Sequence, residues 1–145
     1  MLTRLIYHSE NHLGLGVGSE TLIAGLNDLL EVCVRNNSRN GLTGALLFDG
    51  LWFVQILEGE RELITGTMRK IFDDRRHAAV NVMYADAIGE RLFGNWWMGA
   101  AALPGKDVLT RHHILRFDPK NLTGSQVLAV ATDLAGQGLN RHLAA

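Results

Sequence analysis

Leu2–His8 (LTRLIYH) and Trp52–Gly59 (WFVQILEG) are the two apolar runs that decide the fold of this chain, because each has the composition and length of a buried β-strand. Each run carries one side chain that must hydrogen-bond, Tyr7 in the first and Gln55 in the second. A buried phenol and a buried primary amide both need partners. If the two strands are neighbours in a sheet, Tyr7 and Gln55 can reach each other and a common ligand.

The rest of the chain alternates helical and strand patterns around these two runs. Ser19 is a suitable N-cap for a helix whose apolar residues recur at helical spacing through Arg35, and the polar run Asn36–Gly41 predicts that the helix stops there. The pair Asp49-Gly50 favours a hairpin turn. The strand that returns after this turn, Leu51–Leu57, is the second of the two apolar runs. The further predicted elements are strands over Leu42–Phe48, Val80–Tyr84 and Trp96–Ala102, and a helix over Arg61–Phe72.

This order of elements indicates the fold class. Strand, helix, hairpin, helix, strand is the split βαβ order of ferredoxin-like sheets, so we predict an α+β fold of order βαββαββ, with a five-stranded mixed sheet and two helices on one face. After Pro104-Gly105, the segments Val108–Phe117 and Gln126–Leu134 are weakly helical. They are too small for a core of their own, and we expect them to cover the open sheet face or a second subunit. The predicted domains are residues 1–102 and a helical extension over residues 103–145.

The composition is that of a globular protein. Of the 145 residues, 47% are hydrophobic, and the net charge is −1, which leaves no global field to recruit nucleic acid or an anionic membrane. No apolar run has the length of a membrane span, and the first residues lack a signal-peptide pattern. Cys33 is the single cysteine, which excludes an internal disulfide and favours a reduced thiol in the core. We therefore expect a cytoplasmic protein.

Several weaker patterns have simple structural explanations. Gly14–Gly18 lies between a strand and a helix, but a dinucleotide loop needs G-x-G-x-x-G and position 19 is serine, so a surface loop is the better interpretation. The histidines lack the spacing of metal ligands, and no metal is expected. Asp73 and Asp74 fit a charged helix end better than a catalytic pair. Asn36 and Asn37, taken alone, are ordinary helix-stop residues.

Taken together and in order, however, these residues resemble the BLUF family, whose members are blue-light sensors that use FAD. Three motifs carry the resemblance: L-T-G at 42–44, Q-x-L-E-G at 55–59 and D-x-R-H at 74–77. The similarity runs from Leu2 to about Met98, or roughly two thirds of the chain by domain-size reasoning. It implies a flavin ring that lies between the two helices and parallel to the strands.

The resemblance implies two groups of site residues. Tyr7 matches the family's flavin-proximal tyrosine, Gln55 matches the glutamine between that tyrosine and the flavin, and Asn37 matches the asparagine at the pyrimidine edge of the flavin. The implied photoactive residues are Tyr7, Gln55, Trp96, Met98 and Ser9, and the implied cofactor-binding residues are Tyr7, Asn36, Asn37, Gln55, Lys70, Asp74, Arg76 and His77. The implied cofactor is FAD, with FMN or riboflavin as substitutes.

The resemblance also implies a mechanism without substrate turnover, so we expect no enzyme activity. Light would drive electron and proton transfer from Tyr7, and the rotated or tautomerised Gln55 head would then hydrogen-bond differently. The fifth strand and the C-terminal helices would carry the change to a partner signalling protein. We expect a homodimer that binds neither nucleic acid nor membrane. From the residues alone, a flavin-dependent redox enzyme and a ferredoxin-like small-molecule binder remain open.

Overall fold

The structure, a computed structural model, describes residues 1–11, 20–75, 77–103 and 107–140. The sequence predictions for Gly14–Gly18, Ser19 and Arg76 lie outside these residues. The strands are β1 (Leu2–Asn11), β2 (Thr43–Phe48), β3 (Trp52–Glu60), β4 (His77–Ala87) and β5 (Gly99–Ala102). The helices are α1 (Glu20–Asn40), α2 (Arg61–Asp73), α3 (Val108–Arg111) and α4 (Gly124–Gln137), with a short 3-10 turn at Pro119–Asn121.

The five strands form one mixed sheet in the order β4-β1-β3-β2-β5. The pairs β1–β3, β1–β4 and β2–β3 are antiparallel, and β2–β5 is parallel. This is the predicted ferredoxin-like arrangement with a fifth strand added beside β2. The central strands β1 and β3 are those that the two apolar runs predicted.

Side chains alternate between the two faces of the sheet, and each face has its own core. On one face, the strands pack against α1 and α2 through residues such as Leu26, Leu30, Ile64 and Met68. On the other face, they pack against the C-terminal segment that follows β5. That second cluster includes Ile6, Leu47, Val54 and Ile56 from the strands and Val127, Val130, Ala131 and Leu134 from α4. The C-terminal segment therefore covers the sheet face that the two helices leave open, as expected.

Helix α1 is longer than the sequence predicted. The predicted loop over Asn36–Gly41 is wrong, because the helix continues through Asn40 and ends where Gly41 adopts a φ of 67°. Glycine is the residue that takes this left-handed conformation without steric cost. Asn36 and Asn37 are therefore helical residues.

Two later elements are shorter than predicted. Strand β5 begins at Gly99, not at Trp96, because the residues before it form a turn in which the Trp96 N–H donates to the Phe93 carbonyl. The predicted helix over Val108–Phe117 is confined to Val108–Arg111. His113 has a φ of 58°, which no continuing right-handed helix allows.

The C-terminal segment is held together by ion pairs as well as by its core. The Arg111 guanidinium contacts Asp133 at 3.1 Å and also pairs with Asp107, and His112 Nε2 lies 2.9 Å from Asp133 Oδ2. Hydrogen bonds from Arg111 and then His112 lower the pKa of Asp133 to about 2. The carboxylate thus joins α3 to α4 at neutral pH.

The predicted division of the chain into domains between residues 102 and 103 stays a prediction.

The four described ranges contain neither a membrane-spanning helix nor a metal-binding group of side chains. No helix there has both the length and the apolar content needed to cross a bilayer. Nor is any group of three His, Cys, Asp or Glu side chains in that part of the chain arranged to hold a metal ion.

We predict that Leu134→Ala destabilises the protein by about 2–5 kcal/mol, the cost of truncating a buried leucine. Leu134 is buried in the cluster between the sheet and α4. The matched control is Leu115→Ala, because Leu115 lies in the same C-terminal segment but is fully exposed; its effect should stay within about 0.5 kcal/mol. Urea unfolding measures both, and equal effects would contradict the packing of α4 on the sheet.

Candidate functional site

A cleft of about 190 Å³ opens between α1 and α2 above the centre of the sheet. Its floor comes from the strands and its two walls from the helices. The lining residues are Tyr7, Leu46, Phe53 and Gln55 from the strands, Leu29, Val32, Cys33, Asn36, Asn37 and Asn40 from α1, and Thr67, Lys70, Ile71 and Asp74 from α2 and its end. Six residues that the resemblance implied for cofactor binding meet here: Tyr7, Asn36, Asn37, Gln55, Lys70 and Asp74.

The floor of the cleft carries a chain of hydrogen bonds centred on Gln55. Tyr7 and Gln55 are directly opposite in the β1–β3 ladder, so both side chains point to the helix-covered face. The Tyr7 hydroxyl donates to Gln55 Oε1, and Gln55 Nε2 donates to Met98 Sδ at 3.7 Å. Both ends of the Gln55 head are therefore engaged, one by a proton donor and the other by an acceptor.

The surroundings of Tyr7 keep its phenol protonated. Burial raises the pKa of Tyr7 well above its ordinary value, and Cys33 and Asp74 raise it further because a phenolate would lie near their charges. Tyr7 is almost fully buried. Its hydroxyl is thus a proton donor at neutral pH and holds Gln55 in one orientation.

The α1 wall is formed by residues that recur at steps of three and four, which places them on one side of the helix. They include Val32, Cys33, Asn36, Asn37 and Asn40. Asn37 is buried, and its Nδ2 donates to the Trp97 carbonyl at 2.7 Å, whereas Asn36 is exposed at the mouth. The continuation of α1 past Arg35 gives both asparagines this placement.

The α2 wall repeats the same spacing with Thr67, Lys70, Ile71 and Asp74. Lys70 is exposed and supplies a positive charge at the mouth, with the carboxylate of Asp74 one turn further along. Arg76 lies outside the described residues. His77 is the first residue of β4, and the structure describes only its backbone.

Three of the predicted photoactive residues do not line the cleft. Met98 lies behind Gln55 as its hydrogen-bond partner, which agrees with a position near the glutamine. Ser9 is completely buried in β1, two residues beyond Tyr7, and is absent from the cleft lining. Trp96 packs against the cluster on the opposite sheet face, so the structure does not bring its ring to Gln55. The turn from Phe93 to Trp96 directs Trp96 to one face and Met98 to the other.

Sequence reasoning missed several lining residues. Cys33, predicted as a core thiol, packs against the cluster beside α1 and α2, but it is half-buried and also faces the cleft close enough to affect Tyr7. The helical spacing from Asn36 and Asn37 leads back to Cys33 and forward to Asn40, and alternation from Gln55 leads to Phe53. The spacing reaches Asn40 only because α1 continues past Arg35, and the polar residues 36–41 did not indicate that continuation.

The chemistry of the lining suits a flat ligand with an apolar body and a hydrogen-bonding edge. Leu29, Val32, Phe53 and Ile71 provide apolar surface, and the amides provide donors and acceptors. This is the pattern of small-molecule and cofactor sites, which combine an apolar lining with a few placed polar groups. The isoalloxazine ring of a flavin has this character.

Comparison with known proteins agrees with the site. The BLUF family model, described as "Sensors of blue-light using FAD", matches residues 2–99. The blue light- and temperature-regulated antirepressor BluF of Escherichia coli (strain K12) is 32% identical over 94 residues, which cover 65% of this chain and 22% of that protein. The chain thus spans about a fifth of the length of this curated relative.

Solved structures extend the similarity beyond residue 99. The structure titled "BlsA photo-activated state" superposes with a TM-score of 0.81 at 27% identity and covers 92% of this chain and 94% of that chain. The dark-state structure of BlrB, titled as a BLUF protein, superposes with a TM-score of 0.74 at 25% identity, over 95% of this chain and 97% of that chain. The C-terminal segment is therefore shared in arrangement with these structures.

We predict that Asn37→Ala weakens FAD retention by roughly tenfold or more, because loss of one buried amide contact costs about 1–3 kcal/mol. Asn36→Ala, at the neighbouring amide on the exposed side, should weaken retention less. Flavin absorbance per protein after extensive dialysis measures occupancy in the wild type and both variants. Retention by Asn37→Ala equal to that of the wild type would remove Asn37 from the binding site.

Proposed function

We propose that this chain, which belongs to the BLUF family of blue-light sensors using FAD, reports light through the hydrogen bonds that Gln55 makes with Tyr7 and Met98. The observation that carries the proposal is the Gln55 head, held between a donor and an acceptor at the floor of the cleft. Gln is a side chain with a donor and an acceptor on one rotatable group, so it can reverse its polarity in place.

The residues proposed to hold FAD are those that line the cleft. Tyr7, Gln55 and Asn37 would face the ring and its polar edge, and Asn36, Lys70 and Asp74 would lie toward the mouth. Lys70 would contribute a positive charge toward the phosphates. When bound, FAD supplies absorption of blue light and an oxidising ring in its excited state.

Tyr7 is the proposed electron and proton donor, because its buried phenol stays protonated and already hydrogen-bonds Gln55. Rotation of the Gln55 head then exchanges its two ends. Nε2 would face the Tyr7 oxygen, which can accept a hydrogen bond. Oε1 would face Met98 Sδ, which has no proton to donate. The Gln55–Met98 hydrogen bond is therefore lost in the rotated state, and the protein shifts to a second population.

The proposed output path runs from Met98 into β5 and the end of the chain. The next residue, Gly99, lies against Leu139: a Cβ at Gly99 would come within 2.7 Å of Leu139 side-chain atoms. Ala100 and Asn140 exchange backbone hydrogen bonds of 2.7 and 2.9 Å. A shift of Met98 would thus act directly on the segment after α4.

The sensor is proposed to act by binding, without turnover of a substrate. A redox enzyme and a small-molecule binder, which the residues alone left open, are not favoured, because the matching family is described by light sensing. The partner protein, the homodimer and the cytoplasmic location stay predictions of this proposal. A coupling free energy of about 1–3 kcal/mol is sufficient to bias such a partner surface.

We predict that purified wild-type protein is yellow and that blue light shifts its flavin spectrum slightly to the red, with recovery in darkness. Gln55→Leu should bind flavin and lose the shift, because leucine fills similar space with neither donor nor acceptor. Difference spectra before and after illumination measure this. Bleaching of the flavin by NADH, without a response to light, would favour the redox enzyme. A normal photocycle in Gln55→Leu would contradict the proposed mechanism.

We predict that Gly99→Ala uncouples the C-terminal segment from the site. The added methyl group would collide with Leu139 and approach Trp96 within 3.1 Å, so Leu139 must leave its place. Amide hydrogen exchange near residues 139–140 should be fast in darkness and insensitive to light, while the red shift persists. Gly136→Ala is the control, since beyond its chain neighbours and its own helix backbone no atom lies within 4 Å of that Cβ. Protected, light-responsive amides in Gly99→Ala would argue against this path.

A further inference from the structure

We propose that Glu58 is a positioning residue of the light response: its buried carboxylate anchors the segment Arg91–Met98 and so keeps Met98 against Gln55. This inference rests on the proposed function and deepens it, because it names the group that sets the dark position of the segment. Glu58 lies three residues beyond Gln55 on β3, with its side chain on the opposite sheet face, and touches no part of the cleft.

The carboxylate of Glu58 is completely buried and accepts from two sources. Arg4 donates to Oε2 from Nε at 2.9 Å and from a terminal nitrogen at 2.8 Å. The backbone N–H groups of Leu92 and Phe93 donate to Oε2 and Oε1 at 3.0 and 2.8 Å. Hydrogen bonds to an ionised acceptor are about twice as strong as neutral ones, so Glu58 ties the segment firmly to β1 and β3.

Arg91 hydrogen-bonds the same end of the segment to residues at the open end of the β2–β3 hairpin. One terminal nitrogen donates to Thr43 Oγ1 and to the Glu58 carbonyl, each at 2.9 Å. The other donates to the Gly41 carbonyl at 2.7 Å. The fork of the guanidinium matches these separate acceptors, which the single ammonium of a lysine does not.

The other end of the segment, residues 96–98, contacts β2 and two residues of the cleft. The Gly44 N–H donates to the Trp96 carbonyl at 3.0 Å, Asn37 donates to the Trp97 carbonyl at 2.7 Å, and Gln55 donates to Met98 Sδ at 3.7 Å. Residues 91–98 form no helix or strand. Their position therefore depends on these side-chain and single backbone contacts, with the charged anchor at Glu58.

Glu58→Gln should loosen this anchor. A neutral amide keeps the size of the side chain but leaves the buried Arg4 guanidinium without its counter-charge. Its NH2 group replaces one of the two oxygens, so one backbone donor, Leu92 or Phe93, loses its acceptor. The dark arrangement, in which Met98 meets Gln55, is then less favoured relative to the light-adapted one. We expect dark recovery of the flavin spectrum to slow by about threefold or more.

A second variant keeps the test decisive if Glu58→Gln does not fold. Arg91→Lys loosens the same segment without a buried unpaired charge, since Arg91 is only half-buried. Its matched control is Arg111→Lys, which removes a guanidinium fork from the Asp133 pair in the C-terminal segment and should leave recovery unchanged. Combining each variant with Met98→Ala completes a double-mutant cycle. The effect on recovery should disappear when Met98 is absent.

A dark measurement separates this proposal from the proposed function. With 13C-methyl methionine, the Met98 resonance, assigned by its loss in Met98→Ala, should shift or split in Glu58→Gln or Arg91→Lys and stay unchanged in Arg111→Lys. An unchanged Met98 resonance overturns the anchor, whether or not the wild type responds to light. The anchor is also overturned if dark recovery in the variant is faster than in wild type or within about threefold of it. It is overturned as well if the slowing persists in full in the Met98→Ala background. Absence of a red shift in the wild type with a shifted Met98 resonance overturns only the proposed function.

Discussion

The antiparallel register of β1 and β3 positions both the cleft and the buried ion pair behind it. It places Tyr7 opposite Gln55 and, three residues away, Arg4 opposite Glu58. Because three residues reverse the face of a strand, one pair forms the floor of the cleft and the other forms a buried ion pair on the far side. A slip of one residue in either strand would put the two members of each pair on opposite faces of the sheet. Removing either charge would leave the other buried and unpaired, so the ion pair also opposes such a slip.

Segment Arg91–Met98 connects the two faces. Met98 belongs to the cluster beside α1 and α2, whereas Trp96, two residues earlier, packs with the cluster under the C-terminal segment. The proposed route from Met98 passes to Gly99, where an added Cβ would lie beside both Leu139 and Trp96. Because protein interiors are closely packed, the loss of one hydrogen bond at Gln55 is proposed to act through these contacts on residues 139 and 140.

Two of the family motifs, L-T-G and Q-x-L-E-G, contact the same segment, Arg91–Met98. In L-T-G, Thr43 accepts from Arg91 and the Gly44 N–H donates to Trp96. In Q-x-L-E-G, Gln55 donates to Met98 and Glu58 binds the backbone that follows Arg91. Both motifs are thus contact sites for one irregular segment. That segment lies beside the sheet without a regular hydrogen-bond ladder of its own, which suits it to move in response to the change proposed at Gln55.

Local patterns predicted the order of strands and helices along the chain, and short motifs carried the resemblance to the family. The register confirms that Tyr7 and Gln55 are neighbours, which the sequence predicted on the condition that the two strands pair. Asn37 and Lys70, which only the resemblance implied, both line the cleft. The tertiary structure set the rest: α1 runs through its polar end, since Asn37 finds a partner at Trp97, 60 residues away. It likewise decided the side that Trp96 takes and the role of Glu58. These depend on contacts between residues distant in sequence, where tertiary packing overrides local propensity.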